Sequence, residues 1–225
     1  RVNGAGPGVG HVLHDQKRID APAPIRLVKG SHIVVPKIFS HDRAYIFQNA
    51  DNRIIFAIPY EGDFTLIGTT DLDFREDPAK VAATPGEVDY LCASPSEYFK
   101  KPVMSGDVVW TYSGVRPLYD DGEANAQETT RDYVLDLDAP EQQAPLLTIF
   151  GGKITTYRRL AEEVLQRLSR HLPVRKPWTS TAALPGGDFP IAAVETEIER
   201  LRLAYPFLTP DHARRLVRAY GTRAD

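Results

Sequence analysis

The sequence holds one cysteine, Cys92, and one methionine in 225 residues. A lone cysteine excludes an internal disulfide and every zinc pattern that needs several thiolates, and it fits a reducing compartment. An excess of one charge is also missing. Twenty-seven basic residues against 30 acidic ones leave a formal net charge of −3, so a general electrostatic grip on nucleic acid is not indicated and any bound anion must be held locally. Long apolar runs are absent, and those present, such as residues 54–59, fall far short of the roughly 20 residues of a membrane span. The chain opens on Arg1-Val2-Asn3, without a charged-then-apolar leader. Its 42% hydrophobic and 25% charged residues are the composition of an ordinary soluble globular protein.

Prolines and glycines punctuate the chain. Ala21-Pro22-Ala23-Pro24 marks one seam, and the stretch from Pro173 to Leu184-Pro185-Gly186-Gly187 reads as a linker. Between them the first half reads as sheet. Arg26 to Lys29 leads through Gly30-Ser31-His32 into Ile33-Val34-Val35, residues 44–48 and 53–58 flank a polar loop as a hairpin, and residues 64–70 continue the antiparallel set. Thr84-Pro85-Gly86-Glu87 carries the hydroxyl, proline and carboxylate of a capping box. It opens a helix that Pro95 is expected to kink or divide. Residues 108–112 and 131–138 are expected strands. Residues 146–150 form an all-apolar run suited to a buried strand, which Gly151-Gly152 turns into an amphipathic helix reaching Leu172. Two short helices, residues 191–205 and 210–220, close the chain.

Several residues could carry chemistry. In Phe150-Gly151-Gly152-Lys153-Ile154-Thr155-Thr156, two glycines between a strand and a helix N-terminus let backbone N–H groups approach an anion, with Lys153 and two hydroxyls beside them. A tight strand-to-helix turn is the alternative. The triphosphatase loop Gly-x-x-x-x-Gly-Lys-Ser/Thr is absent. Gly4-Ala5-Gly6-Pro7-Gly8-Val9-Gly10 superficially follows a dinucleotide fingerprint, but Pro7 sits inside it and only three residues precede it. It reads instead as a glycine-rich loop after a strand whose start lies outside the chain. Arg116, expected at the end of an apolar strand, and Arg131, opening the next, offer planar groups suited to phosphate or carboxylate. A structural salt bridge is the alternative for each. His32 is either a general base or a hydrogen-bonded structural histidine. Asp71 and Asp73 match no calcium-loop spacing and read as turn residues, so no metal site is expected.

Five segments, in order, resemble the bacterial FAD-dependent respiratory glycerol-3-phosphate dehydrogenases: Lys29-Gly30-Ser31-His32-Ile33-Val34-Val35-Pro36, Ile67-Gly68-Thr69-Thr70-Asp71, Trp110-Thr111-Tyr112-Ser113-Gly114-Val115-Arg116-Pro117-Leu118, Thr130-Arg131-Asp132-Tyr133, and Phe150-Gly151-Gly152-Lys153-Ile154-Thr155-Thr156-Tyr157-Arg158. The resemblance implies an α/β (α+β) fold of the D-amino-acid-oxidase-like type. Residues 1–20 and 116–183 would belong to a flavin-binding domain, 21–115 to an antiparallel-sheet substrate domain, and 184–225 to the start of a helical C-terminal domain. It further implies oxidation of sn-glycerol 3-phosphate to dihydroxyacetone phosphate by hydride transfer to FAD, with electrons passed to quinone at the inner face of the cytoplasmic membrane. Carried over by position, Arg116, Arg131 and Lys153 would bind substrate. His32, Arg131 and Lys153 would surround the reacting carbinol, with His32 accepting its hydroxyl proton. Gly4, Ala5, Gly6 and Pro7, together with Gly151, Gly152, Lys153, Ile154 and Thr155, would contact the flavin, and Gly152 and Lys153 would stabilise its negative charge. A homodimer is allowed, and nucleic acid is not an expected partner.

The departures from the family are an absent N-terminal Gly-x-Gly-x-x-Gly, an absent far C-terminus, and Gly8 where a tryptophan usually follows the proline. The chain is therefore expected to be an internal fragment, inactive alone. Competing expectations are a glycerophosphate oxidase that uses oxygen and a non-catalytic phosphoester-binding fragment. The basic residues Arg158, Arg159, Arg167, Arg170, Arg175 and Lys176 are interrupted by Glu162 and Glu163, which favours a solvated helix face over attraction to lipid.

Overall fold

The computed structural model describes residues 1–17, 24–120, 122 and 131–225. The seam at Ala21-Pro22-Ala23 and the Thr130 of the fourth motif lie outside the described residues. The chain divides into two compact units, Arg1–Leu172 and Pro173–Asp225.

In the first unit β1 (Val2–Asn3) leads through a glycine loop to α1 (Val9–Lys17). There follow β2 (Ile25–Pro36), β3 (Tyr45–Gln48), β4 (Ile54–Tyr60), β5 (Phe64–Gly68), β6 (Leu72–Asp73) and α2 (Pro85–Ser96), then β7 (Trp110–Tyr119), β8 (Val134–Asp138), β9 (Leu146–Phe150) and α3 (Tyr157–Arg167). Among the described residues, β2 to β7 make one antiparallel sheet in the order β3-β4-β5-β2-β6, with β7 along the other side of β2. The expected hairpin is β3 and β4, registered Tyr45 to Ala57 and Gln48 to Ile54.

Strand β2 runs unbroken through Gly30-Ser31-His32 and is paired on both sides, so its alternation sorts residues onto two faces. One face builds the core. Ile33 and Val35 pack with Ile55, Ala57 and Ile67 of the neighbouring strands and with Leu91 of α2. The α2 capping box is present as expected, with Thr84 and Glu87 exchanging side-chain and backbone bonds. Pro95 does not divide a longer helix, because α2 ends one residue after it at Ser96.

The strand expected over residues 108–112 is instead Trp110–Tyr119. Arg116 therefore lies within it rather than past its end. Pro117 is tolerated within it because, among the described residues, β7 is an outer strand paired with β2 alone, so a missing N–H can face away from the ladder.

The second sheet has the order β1-β9-β8, with β1 parallel and β8 antiparallel to β9. Leu147 of β9 packs under Val164 of α3 and Leu168. Helix α3 begins later than the glycine pair suggests, after one 3-10 turn at Ile154–Thr156, and it stops before Leu168 and Leu172. Gly151 and Gly152 have φ of 69° and 98°, a backbone that a helix cannot contain. Arg158–Glu162 and Arg167–Glu163 pairs at 3.3 and 3.4 Å run along its polar side.

In the second unit α4 (Val194–Ala204) and α5 (Pro210–Tyr220) pack through Ile198, Leu201, Ala213 and Val217. Thr209 caps α5 by accepting from the His212 N–H. The Thr222 N–H donates to the Gly186 carbonyl, which ties Leu184-Pro185-Gly186-Gly187 to the end of α5. No helix among the described residues is long and apolar enough to cross a membrane.

Candidate functional site

Residues paired across a sheet share a face. Val28 is opposite Arg116, Gly30 opposite Gly114, and His32 opposite both Tyr112 and Gly68. This face is turned away from the Ile33–Val35 core. The His32 ring stacks on Tyr112 with centroids 4.8 Å apart and planes 7° from parallel. It also lies over Gly68, where a Cβ would collide with the imidazole. A Cβ on Gly30 would likewise come within 2.6 Å of Arg116 Nη2 and Thr69 Oγ1. The two glycines are the floor on which an imidazole and a guanidinium rest.

Asp71 organises the arginines. Arg116 Nη1 donates to its Oδ1 at 2.6 Å and Arg131 Nη2 to its Oδ2 at 3.2 Å, while Arg116 Nη2 donates to Thr69 Oγ1 at 3.2 Å. The salt-bridge alternative for each arginine is thus realised, but on one shared carboxylate. Two guanidinium charges against one carboxylate leave one positive charge in the cluster, and the arginine side chains remain 32% and 35% exposed. Such a group can attract an anion and present planar donors to it. Asp73 instead takes a fork from Arg26 at 2.6 and 2.8 Å. The turn-residue reading missed Asp71. The only sequence signal for it was its place at the end of Ile67-Gly68-Thr69-Thr70-Asp71, and its negative charge pointed away from an anion site.

Burial, and after it the positive charge of Arg116, holds the His32 imidazole below its usual pKa. His32 Nδ1 is buried without a hydrogen-bond partner among the described residues. A satisfied structural histidine would have one. The lowered pKa favours the neutral ring, the form that can take a proton.

The glycine loops converge at another edge. β1 and β9 run parallel, with Asn3 beside Thr148, so Gly4-Ala5-Gly6-Pro7 and Gly151-Gly152 leave the same end of the same sheet. Asn3 folds the first loop, its Nδ2 donating to the Val9 carbonyl at 3.1 Å and its Oδ1 accepting from the Ala5 N–H at 3.3 Å. A Cβ on Gly151 would lie 2.9 Å from the Asp132 carbonyl oxygen and 3.7 Å from that of Pro117. Those residues directly follow Arg131 and Arg116, so the glycine turn lies against the backbone next in sequence to each arginine. Lys153, Ile154 and Thr155 are exposed, and among the described residues no bond joins Lys153 to the arginine cluster.

These features suit a flat aromatic group that carries phosphate. The orphaned His32 nitrogen needs a polar partner. Tyr112, Trp110 and Phe56 line the same sheet face and are 38%, 57% and 36% exposed. Positive-φ glycines at the C-terminal ends of parallel strands leave room for a ligand to approach the backbone. The residues present therefore fit a flavin with an anionic substrate beside it.

The chain is 45% identical to the aerobic glycerol-3-phosphate dehydrogenase of Escherichia coli (strain K12), over 100% of this chain and 45% of that protein. It is 47% identical to the D-erythritol 1-phosphate dehydrogenase of Brucella abortus (strain 2308), over 99% of this chain and 44% of that one. The chain thus spans somewhat less than half the length of the curated relatives it matches. Among solved structures it superposes on the glycerol-3-phosphate dehydrogenase from Bacillus halodurans complexed with FAD, with a TM-score of 0.77 and 29% identity, over 100% of this chain and 43% of that one. That neighbour shares the D-amino-acid-oxidase-type fold expected from the sequence. Since the model of the family described as FAD dependent oxidoreductase matches residues 2–158, the two glycine turns, the two sheets and the residues between them have a common explanation: the chain belongs to the FAD dependent oxidoreductase family.

Proposed function

We propose that this chain is the substrate-facing part of an FAD-dependent glycerol-3-phosphate dehydrogenase, converting sn-glycerol 3-phosphate to dihydroxyacetone phosphate. The observation that carries this reading is the Asp71 carboxylate holding Arg116 and Arg131 together beside His32, whose buried Nδ1 has no hydrogen-bond partner among the described residues. The net positive cluster binds the substrate's phosphate dianion through planar donors. Phosphate anchored there sets the C2 carbinol toward His32, two positions from Gly30 on the same strand face. As the C2 hydrogen leaves with its electron pair, the imidazole takes the hydroxyl proton, and the arginine charge stabilises the oxygen until the carbonyl is formed. The flavin, when bound, supplies the acceptor for that hydride. Gly4, Ala5, Gly6, Pro7, Gly151, Gly152, Lys153, Ile154 and Thr155 are the residues proposed to hold it.

Quinone as the final acceptor, a peripheral place on the inner face of the cytoplasmic membrane and a homodimer rest on the family resemblance. Peroxide yield separates the quinone reading from an oxygen-using one. The Brucella relative, a D-erythritol 1-phosphate dehydrogenase, extends the same chemistry to a longer polyol phosphate. The test is anaerobic bleaching of the flavin-loaded full-length enzyme that carries this chain by glycerol 3-phosphate, D-erythritol 1-phosphate and unphosphorylated glycerol. Fast bleaching by glycerol 3-phosphate, and none by glycerol at equal concentration, is expected. Equal bleaching by glycerol removes the phosphate role, and faster bleaching by the erythritol ester replaces the substrate.

A further inference from the structure

We propose that Glu87, on the hidden side of the sheet, is a positioning residue for the anion site, setting Asp71 and through it Arg116 and Arg131 by way of Thr70 and Ser31. The inference rests on the reading of the arginine cluster as the phosphate site.

Glu87 is 4% exposed and accepts from five donors. Its Oε2 takes Lys29 Nζ at 2.6 Å and the Thr84 N–H and Oγ1 at 2.9 Å each. A helix cap and an ion pair need no more than these. Its Oε1 takes Ser31 Oγ and Thr70 Oγ1, both at 2.8 Å. Those two residues flank the site on each side. Ser31 lies between Gly30, over which Arg116 rests, and His32. Thr70 lies between Thr69, which accepts from Arg116, and Asp71, which holds both arginines.

The same two residues are locked to each other. Thr70 Oγ1 accepts from the Ser31 N–H at 2.9 Å, and the Thr70 N–H donates to the Ser31 carbonyl at 3.3 Å. Ser31 Oγ also meets Ser113 Oγ at 2.7 Å, which reaches β7 three residues before Arg116. Alternation along β2 turns Lys29 and Ser31 toward α2 and Gly30 and His32 toward the site, so one stretch of backbone carries the clamp on one side and the chemistry on the other. Two like-charged guanidinium groups stay paired on one carboxylate only if that carboxylate is held in place. The charge-assisted bonds to Glu87 supply the hold from behind.

The test uses the flavin-loaded full-length enzyme that carries this chain. Thr70→Val keeps the side-chain volume and the Lys29–Glu87 pair while cutting the link to the Asp71 loop. Thr65→Val is the control, another buried threonine of the sheet, whose hydroxyl accepts only from the Ile38 N–H at 3.2 Å among the described residues. Thr70→Val is expected to raise both the KM for glycerol 3-phosphate and the inhibition constant of inorganic phosphate about tenfold, with a much smaller change in kcat. Thr70→Ser should restore most of the affinity. Thr65→Val should lower the melting temperature comparably and leave both constants unchanged. If Thr70→Val fails to fold, Ser31→Ala cuts the other link to Oε1 and is read the same way. Unchanged phosphate constants in folded Thr70→Val, or in its substitute, overturn the proposal. Arg116→Lys tells the two failures apart: if it weakens phosphate binding while Thr70→Val does not, only the positioning role falls. If neither does, the phosphate reading falls with it.

Discussion

Arg116 and Asp71, 45 positions apart in sequence, meet in an ion pair of 2.6 Å, and the carboxylate's other oxygen holds Arg131 at 3.2 Å. The proposed phosphate site, with two cations presented by a fixed anion, is geometrically selective, because the carboxylate dictates how far apart the guanidinium planes sit. Asp71→Asn keeps the shape and removes the charge that draws the arginines together. It is expected to raise the KM for glycerol 3-phosphate about tenfold. It should also strengthen inhibition by sulfate relative to phosphate, since the freed charge attracts anions without matching their shape. Steady-state inhibition by the two anions checks this.

Arg116 donates from separate nitrogens to Asp71 and Thr69, which a lysine ammonium cannot reproduce as a planar fork. Arg116→Lys is expected to weaken substrate by roughly 10- to 100-fold in KM, at about 1.4 kcal/mol per decade. Titration with inorganic phosphate gives an independent reading of the same loss.

His32 is held below its usual pKa by burial first and by the Arg116 charge second. Its neutral, proton-accepting form therefore persists somewhat below pH 6.5, and kcat should fall only as pH drops through the lowered value. Arg116→Gln removes a nearby positive charge, raises the imidazole pKa and moves that acid limb toward higher pH. His32→Ala should lower kcat by about 10²- to 10⁴-fold and flatten the limb. A turnover rate equal to that of the parent protein across pH 6 to 8 in that variant would remove His32 from the chemistry. In stability the sign is the same: the unfolded chain binds the proton more readily, so stability falls as pH drops below the unfolded pKa of about 6.5.

Burial pushes the Glu87 carboxyl up, but the bonds from Lys29, Thr84, Ser31 and Thr70 outweigh it and bring its pKa to about 2. With the folded value depressed below the unfolded 4.5, the stabilisation is fully present above pH 4.5 and is lost as pH falls toward 2. Glu87→Gln leaves Lys29 buried without its anion and should cost about 3 kcal/mol near pH 7. The gap from the parent protein should narrow at pH 3. Denaturant unfolding at both pH values measures it, and Lys29→Met combined with Glu87→Leu should be milder than Glu87→Gln alone.

A methyl group at position 30 would meet the far end of the Arg116 side chain and the Thr69 hydroxyl, both at 2.6 Å. The guanidinium can swing aside, so Gly30→Ala should fold with a nearly unchanged melting temperature. It should bind phosphate about tenfold more weakly, because the displaced group no longer reaches both partners.

Local features were readable because their physics is local. The hairpin over β3 and β4, the Thr84–Glu87 capping box and the Pro210–Tyr220 helix with its Thr209 cap each depend on contacts within a few residues. The length of β7 was not readable in this way. The expected strand ends at Tyr112, and only pairing with β2 from Tyr119 back to Trp110 carries it on through Pro117. His32 has two readings in the sequence, and the burial of an Nδ1 without a partner among the described residues supports the proposed proton-accepting one. Asp71 read as a turn residue because its partners lie 45 and 60 positions away. Glu87 read as a cap because Lys29, Ser31 and Thr70 come from other elements. Hydrophobic periodicity and capping chemistry are written in neighbouring residues, so the sequence by itself determined the elements, the family resemblance and the candidate residues. Which charges meet depends on sheet register and on which face each side chain takes, and those follow only from strands paired across long separations, so the tertiary structure alone decided how the site is assembled.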